Sequence, residues 1–204
     1  MINRKICPEG FMDYMKSIQN FAPSNDQEVT DQKVILSYIQ DYPDNVLLRD
    51  NKIGHITSSG FLMNKDLNRI LLVHHNIRGV WGWTGGHADG DDDLLHVAIK
   101  EAKEETGIVT VKPLTHSIVS LDILPVFSHW RKGQFVNTHL HLSVAYILIC
   151  DEREQVRPRL AENSDVAWFD TEFVNEANFK SADVYLYNKL IEKARDISVP
   201  IVLF

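Results

Sequence analysis

Three glutamates, Glu101, Glu104 and Glu105, stand at i, i+3 and i+4 near the end of the stretch GGHADGDDDLLHVAIKEAKEETGI, Gly85 to Ile108. Wound as a helix, that spacing puts all three carboxylates on one face within about one turn. At about 100° per residue, Leu94, Val97 and Ala98 fall on the same side one to two turns earlier. His96, Lys100 and Lys103 go to the flank or the opposite side. A stripe that begins as a core-facing apolar face therefore becomes a row of carboxylates. Clustered anions on an inward face repel one another and lose hydration, at a cost on the order of kcal/mol each unless something neutralises them. Divalent cations with oxygen ligands are the usual remedy. A solvated acidic face with Lys100 and Lys103 as neighbours is the competing reading of the spacing alone.

The helix itself is well signalled. Asp91-Asp92-Asp93 supplies an N-cap and negative charge at the positive end of the helix dipole. Leucine, alanine, glutamate and lysine dominate the body, and Gly107 stands at the usual position for ending it. Gly85-Gly86 just before permits a tight backbone path that brings carbonyl groups close to a bound ion or phosphate. By itself such a pair marks little more than a turn.

In this register the segment resembles the signature of the Nudix hydrolases: Gly, five residues, Glu, seven residues, then Arg-Glu-aliphatic-x-Glu-Glu-x-Gly-aliphatic. Gly86 takes the first place, Asp92 the first acidic place and Lys100 the arginine place; Glu101, Ala102, Glu104, Glu105, Gly107 and Ile108 then match. The Asp92 and Lys100 departures fall on a pair that, in the family, braces the loop against the helix. Both keep their charge, but lysine lacks arginine's bidentate fork.

The resemblance implies a Nudix-like α/β/α sandwich with a mixed β-sheet, and divalent-metal-dependent hydrolysis of a diphosphate linkage in a nucleoside diphosphate derivative. It places Mg2+ or Mn2+ on Glu101, Glu104 and Glu105, with the Gly86 carbonyl, and gives Glu101 and Glu104 catalytic weight. Glu162, in AENSDVAWF, resembles the further acid the family supplies from a loop after the main sheet. Glu104 or Glu162 would orient or deprotonate the attacking water. A solvated loop glutamate is the plain alternative for Glu162. A Nudix-fold ligand-binding or regulatory module with weak turnover is the alternative for the whole chain, and the three retained glutamates speak against it. An isomerase resembling isopentenyl diphosphate isomerase would need a cysteine just before the box, and Cys7 and Cys150 are both distant.

These residues must be positioned by the rest of the chain. Residues 1–45 read as a helical extension and 46–204 as the Nudix-like domain. Phe11, Tyr14, Met15, Ile18 and Phe21 recur at helical spacing, Pro23-Ser24-Asn25-Asp26 breaks the chain, and a second helix runs from Asp26 to Gln40. This hairpin covers either the core or a second copy of the chain in a homodimer. Strands are expected at Ile56–Met63, Ile70–His75, Val109–Val111, Ile118–Val126, Phe135–Cys150 and Asp165–Asp170. A loop carries Arg78, Trp81 and Trp83 into the Gly-Gly pair, and Arg131-Lys132-Gly133-Gln134 is a hairpin turn. A helix over Ala182–Arg195 closes the fold, with the apolar tail Val199–Phe204 docking on the body.

Histidines are the second signal. His139 and His141 alternate with Leu140 and Leu142, so both lie on one sheet face. His87 follows Gly86, His55 opens the first strand and His74-His75 ends the second, so six of the nine histidines converge on one pocket in this reading. Phosphate contact or proton transfer is the first role for His87, His139 and His141; a His-x-His zinc site lacks an identifiable third ligand. Arg78 is the nearest arginine before the box and a phosphate contact.

Composition bounds the partners. With 204 residues and 44% hydrophobic content, the chain can build a substantial core. A formal charge of −7 argues against nucleic acid and requires metal or local basic residues beside an anionic small-molecule substrate. Two widely separated cysteines read as reduced structural thiols, and no apolar run is long enough to span a membrane; a cytoplasmic protein is the expectation. Which diphosphate is cleaved is not written in these motifs.

Overall fold

The computed structural model describes residues 13–131 and 133–199; Cys7, Phe11, Lys132 and the tail beyond Val199, on which expectations above rest, lie outside the described residues. Two short helices come first, α1 (Asp13–Asn20) and α2 (Asp26–Asp41). The side chain of Asn25 caps α2 by accepting from the Glu28 N–H at 2.9 Å, and Glu28 reaches back to accept from the Ser24 N–H at 3.0 Å. Local hydrogen-bond satisfaction thus sets the α2 start where the break in the sequence predicts it.

The sheet has eight strands. At its centre β1 (Gly54–Met63) runs parallel to β9 (His139–Cys150), in register from Gly54 opposite Leu140 to Met63 opposite Ile149. Every residue of β1 is buried, as expected of a strand covered on both faces. β2 (Arg69–His75) pairs antiparallel with the end of β1, and β10 (Asn163–Asp170) pairs with β2. β5 (Val111–Pro113) and β6 (Ser120–Val126) occupy the other side of β9, and β7 (His129–Arg131) and β8 (Gln134–Val136) form a separate hairpin.

The segment before the box departs from expectation. It is strand rather than loop: β3 (Trp81–Gly82) adds to β2, and β4 (Thr84–His87) adds to the middle of β1, so Gly85-Gly86 lies inside a strand. β1 and β2 diverge beyond their short pairing, and this segment fills the fork, satisfying backbone groups on both. Two further boundaries shift. Val109 is exposed and donates its N–H to Glu154 at 3.0 Å, which delays β5 to Val111. The expected single strand over Phe135–Cys150 breaks at Asn137-Thr138, where the Asn137 amide donates to the Lys52 carbonyl at 2.7 Å and Thr138 Oγ1 accepts from the Ser128 N–H at 3.1 Å.

Helices cover both faces, giving the α/β/α sandwich. On one face Tyr14, Ile18, Ile35 and Ile39 of α1 and α2 share a core with Ile56, Leu142 and Val144 of the sheet and with Leu94, Ala98 and Ala102 of α3 (Leu94–Thr106). The N-terminal hairpin therefore covers the sheet of its own chain. On the other face α4 (Ser181–Ser198) packs Leu186, Tyr187 and Leu190 on Phe61, Leu72 and Ile147. Cys150 is a free, buried thiol pushed up to about 12 by burial. No helix among the described residues is long and apolar enough to cross a membrane.

A buried ion network joins the layers at the β6 edge. Glu28, fully buried on α2, lies 2.6 Å from Lys193 Nζ and 3.3 Å from Lys189 Nζ of α4. Lys189 in turn lies 2.6 Å from Asp122 of β6. Removing one partner strands the others in a low dielectric, which costs about 3–5 kcal/mol. Glu28→Ala is therefore expected to lower the free energy of unfolding by that amount in urea titrations, far more than loss of an exposed pair such as Arg153–Asp151 through Asp151→Ala.

Candidate active site

The local sequence of α3 explains its place. The Asp93 carboxylate caps it, accepting from the His96 N–H at 2.9 Å. Gly107 ends it at φ 73°, a left-handed conformation that favours glycine, with its N–H donating to the Lys103 carbonyl. Leu94, Val97, Ala98 and Ala102 dock the helix on the sheet. One turn later the same side becomes acidic, but unevenly. Glu105 is 4% exposed and Glu101 half-buried, whereas Glu104 has rotated to the rim and is open to solvent.

The two inner carboxylates lie against β4. A Cβ on Gly86 would meet Glu101 Oε1 at 2.6 Å, so only glycine lets this carboxylate rest on the strand. Glu105 Oε2 accepts the Gly85 N–H at 3.1 Å, and its Oε1 accepts from the Asn163 amide at 3.4 Å. The chain between β9 and β10 brings in the remaining groups. Its backbone is tied to the end of α3, Arg157 N–H to the Thr106 carbonyl at 2.8 Å and Arg159 N–H to the Glu105 carbonyl at 3.3 Å. Arg159 Nη1 then lies 2.8 Å from Glu104 and 3.5 Å from Glu162, while Arg131 Nη2 lies 3.8 Å from the other Glu162 oxygen. Glu101, Glu104, Glu105 and Glu162 are thus brought together.

Burial pushes Glu105 up to about 8, against the hydrogen bonds from Gly85 and Asn163, and the charges of Glu101 and Glu162 push the same way. Glu101 is likewise raised, first by burial and then by Glu104 and Glu162, with Lys100 opposing. Crowded, poorly hydrated carboxylates beside a strand backbone that tolerates no side chain are a donor set suited to a hard divalent cation.

The expected Asp92–Lys100 brace does not form among the described residues. Lys100 Nζ is drawn to the adjacent Glu101, at 3.8 Å. Arg49 holds the loop instead, through its Nε hydrogen bond to Asp89 Oδ1 at 2.7 Å, and the Gly90 N–H donates to the Leu47 carbonyl at 3.1 Å.

The histidines divide. His55, His87, His139 and His141 cluster on the sheet face opposite α3, one ligand atom from each lying within 4.8 Å of the others. Burial is the largest cause holding His87 down at about 2 and His141 at about 3, with neighbouring arginines and histidines adding to it. His74 and His75 do not join the cluster, because β3 and β4 lie between the end of β2 and β1. His74 bonds to Ser164 at 2.7 Å. Arg78 is engaged by Asp183 of α4 at 3.5 Å. Trp83 is core, and Trp81 stacks edge-on against Phe169. Arg49, Arg159 and Asn163 went unnoticed in the sequence. Arg159, three residues before Glu162, and Asn163, immediately after it, carried the only local signal.

The raised Glu105 value fixes a sign. A carboxyl with a folded-state value above its unfolded one stabilises the fold below the unfolded value, and that contribution is lost as pH rises through the folded value. In metal-free protein, Glu105→Gln should therefore match the wild-type Tm near pH 5 and exceed it increasingly up to pH 8. Thermal melts in chelator-containing buffers measure this, and a pH-independent difference would contradict the burial argument.

A model of the NUDIX domain family matches residues 54–190. Comparison with curated proteins finds no significant sequence match. Among solved structures, the chain is similar to the NUDIX domain of Shewanella oneidensis NrtR complexed with ADP ribose, at 22% identity over 77% of this chain and 96% of that one, with a TM-score of 0.48. It is similar to a Clostridium perfringens hydrolase of the NUDIX family at 20% identity, 68% and 96% coverage and a TM-score of 0.48. It also resembles the E. coli dihydroneopterin triphosphate pyrophosphohydrolase at 17% identity, 67% and 94% coverage and a TM-score of 0.49. With the domain match spanning most of its length and Glu101 and Glu105 of the signature helix resting on β4, the chain belongs to the NUDIX family.

Proposed function

We propose that the chain hydrolyses a diphosphate linkage in a nucleoside diphosphate derivative, with Mg2+ or Mn2+ held by Glu101, Glu104, Glu105 and the Gly86 carbonyl. One observation carries this reading: four carboxylates from two separate chain segments converge where burial already holds Glu105 and Glu101 above the usual carboxylate range. That convergence is costly without a cation and useful with one.

A divalent ion there would neutralise the phosphates and acidify a water. The chain's own groups do the rest. Gly85 N–H and Asn163 orient Glu105, and Gly86 lets Glu101 lie flat on β4. Glu162, placed between Arg159 and Arg131, is the proposed base that takes the proton from the attacking water, with Glu104 beside it as ligand. Arg131 and Arg159 offset the chain's negative field at the place where the substrate's charge must enter. We favour them for phosphate contact ahead of Arg78, which Asp183 already engages.

The test is a panel of nucleoside diphosphate sugars, dinucleoside polyphosphates, nucleoside triphosphates and non-nucleotide diphosphates, assayed with Mg2+ and Mn2+. At least one should be hydrolysed. Glu104→Gln should cost roughly 100-fold or more in kcat. Glu162→Gln should lower kcat by roughly 100- to 10000-fold with little change in KM. Retained ligand binding with no turnover on any diphosphate would favour a binding module, and turnover indifferent to Glu104→Gln would move the chemistry away from α3.

A further inference from the structure

We propose that His55, His87, His139 and His141 form a second metal site, separate from the glutamates, that takes a divalent transition-metal ion, zinc foremost. The sheet register assembles it. His55 of β1 lies directly beside His141 of β9, and His87 of β4 pairs opposite Thr57, two residues along β1. All four positions fall on the same pleat face, and His139 follows from the two-residue period of β9.

The distances suit an ion. Four nitrogens at about 2.0–2.1 Å from a tetrahedral zinc lie about 3.4 Å from one another. Here the four ligand atoms lie within 4.8 Å of one another. An inward movement on the order of 1 Å for each imidazole therefore closes the set, within reach of small side-chain rotations.

Hydrogen bonding supplies the polarity. His55 Nδ1 lies 3.0 Å from the Asn51 carbonyl and His139 Nδ1 lies 2.9 Å from the Asn137 carbonyl. A carbonyl only accepts, so each Nδ1 carries the hydrogen, and each Nε2 of the neutral ring is left as a lone pair. His55 Nε2 is buried without a hydrogen-bond partner, and so is His141 Nε2. Buried ring nitrogens left without a partner, His55 Nε2 among them as a lone pair, are a cost that a cation removes. The Nδ1–H to backbone carbonyl bond is also the usual outer-shell device that aims a metal-binding imidazole.

The donor set selects the ion. It contains imidazoles and no carboxylate, which suits zinc, copper or nickel and not magnesium. Four protein ligands complete a tetrahedron, so the ion would be structural, clamping β1, β4 and β9 together.

The experiment uses the untagged full chain, stripped with chelator and titrated with zinc or cobalt chloride, with magnesium chloride as control. The expected result is one tight zinc equivalent that raises Tm and an intense visible cobalt spectrum of a four-coordinate site. His87→Gln and His141→Gln should each weaken zinc binding by roughly 100-fold or more. Glu104→Gln should leave it unchanged, so failure of the hydrolase reading and failure of this one are separable. Should either histidine variant not fold, the wild-type cobalt spectrum and an all-nitrogen shell in zinc X-ray absorption still decide. A weak six-coordinate cobalt spectrum, or zinc binding lost in Glu104→Gln and retained in the histidine variants, would overturn the site and leave the four rings as packing partners.

Discussion

The closeness of α3 to the backbone of β4 is the constraint on which the rest of the structure depends. Glu105 can accept the Gly85 N–H and Glu101 can lie over Gly86 only if the helix sits tightly on the strand. Ala98 and Ala102, both fully buried, keep the interface shallow enough for that approach. Burying carboxylates in this way costs free energy, and here, unlike at Glu28, no lysine among the described residues is buried beside them to offset it. The segment after β9 is then fastened to the last turn of α3 by backbone hydrogen bonds, so that Arg159 and Glu162 arrive at fixed distances from Glu104. Preorganisation of this kind is what a charged site needs, because groups held by backbone ties do not have to reorganise when an anionic substrate enters.

The N-terminal hairpin belongs to that scaffold. Its apolar side chains complete the core under α3, and Glu28 ties it to α4 through Lys193 and Lys189. The connection from α2 to β1 reaches further still. Leu47 and Arg49 hold the turn between β4 and α3, where Asp89 and Gly90 adopt left-handed conformations. The position of the box glycines therefore depends on residues that precede the matched domain. This fills the role left open by Asp92 and Lys100: the loop is braced from outside the box.

The parts legible in the sequence are those written in local patterns. The helix over Leu94–Thr106 announced itself through periodicity, its aspartate cap and Gly107, and β1, β2 and β10 were visible within two residues of their ends. The glutamates were legible because helical geometry alone puts them together. What stayed hidden depends on pairing between distant segments. Nothing near Gly85-Gly86 says that β1 and β2 will diverge and recruit it as a strand. Nothing local says that His55 will lie beside His141, or that β3 and β4 will shut His74 and His75 out of the same cluster. Arg159 was passed over because an arginine in a loop becomes specific only through the carboxylates that the fold sets around it.

The two-residue period of β4 places two chemistries on either side of one strand. Gly86 faces α3 and the carboxylates; His87, the next residue, faces the imidazoles of His55, His139 and His141. Oxygen donors with a surplus of negative charge suit a hard cation that must also meet phosphate, whereas neutral imidazoles, two of them with Nδ1–H already given to a backbone carbonyl, suit a borderline ion that meets nothing else. A slip of β4 by one residue would exchange the two faces, putting a histidine against Glu101 and a glycine among the rings. The pairing of Ser58 with Gly86 and of Thr57 with His87 therefore has a double duty. It sets the approach of α3 on one face and the closure of the histidine cluster on the other, so an ion clamping β1, β4 and β9 on the imidazole side would also hold the strand on which the carboxylates rest.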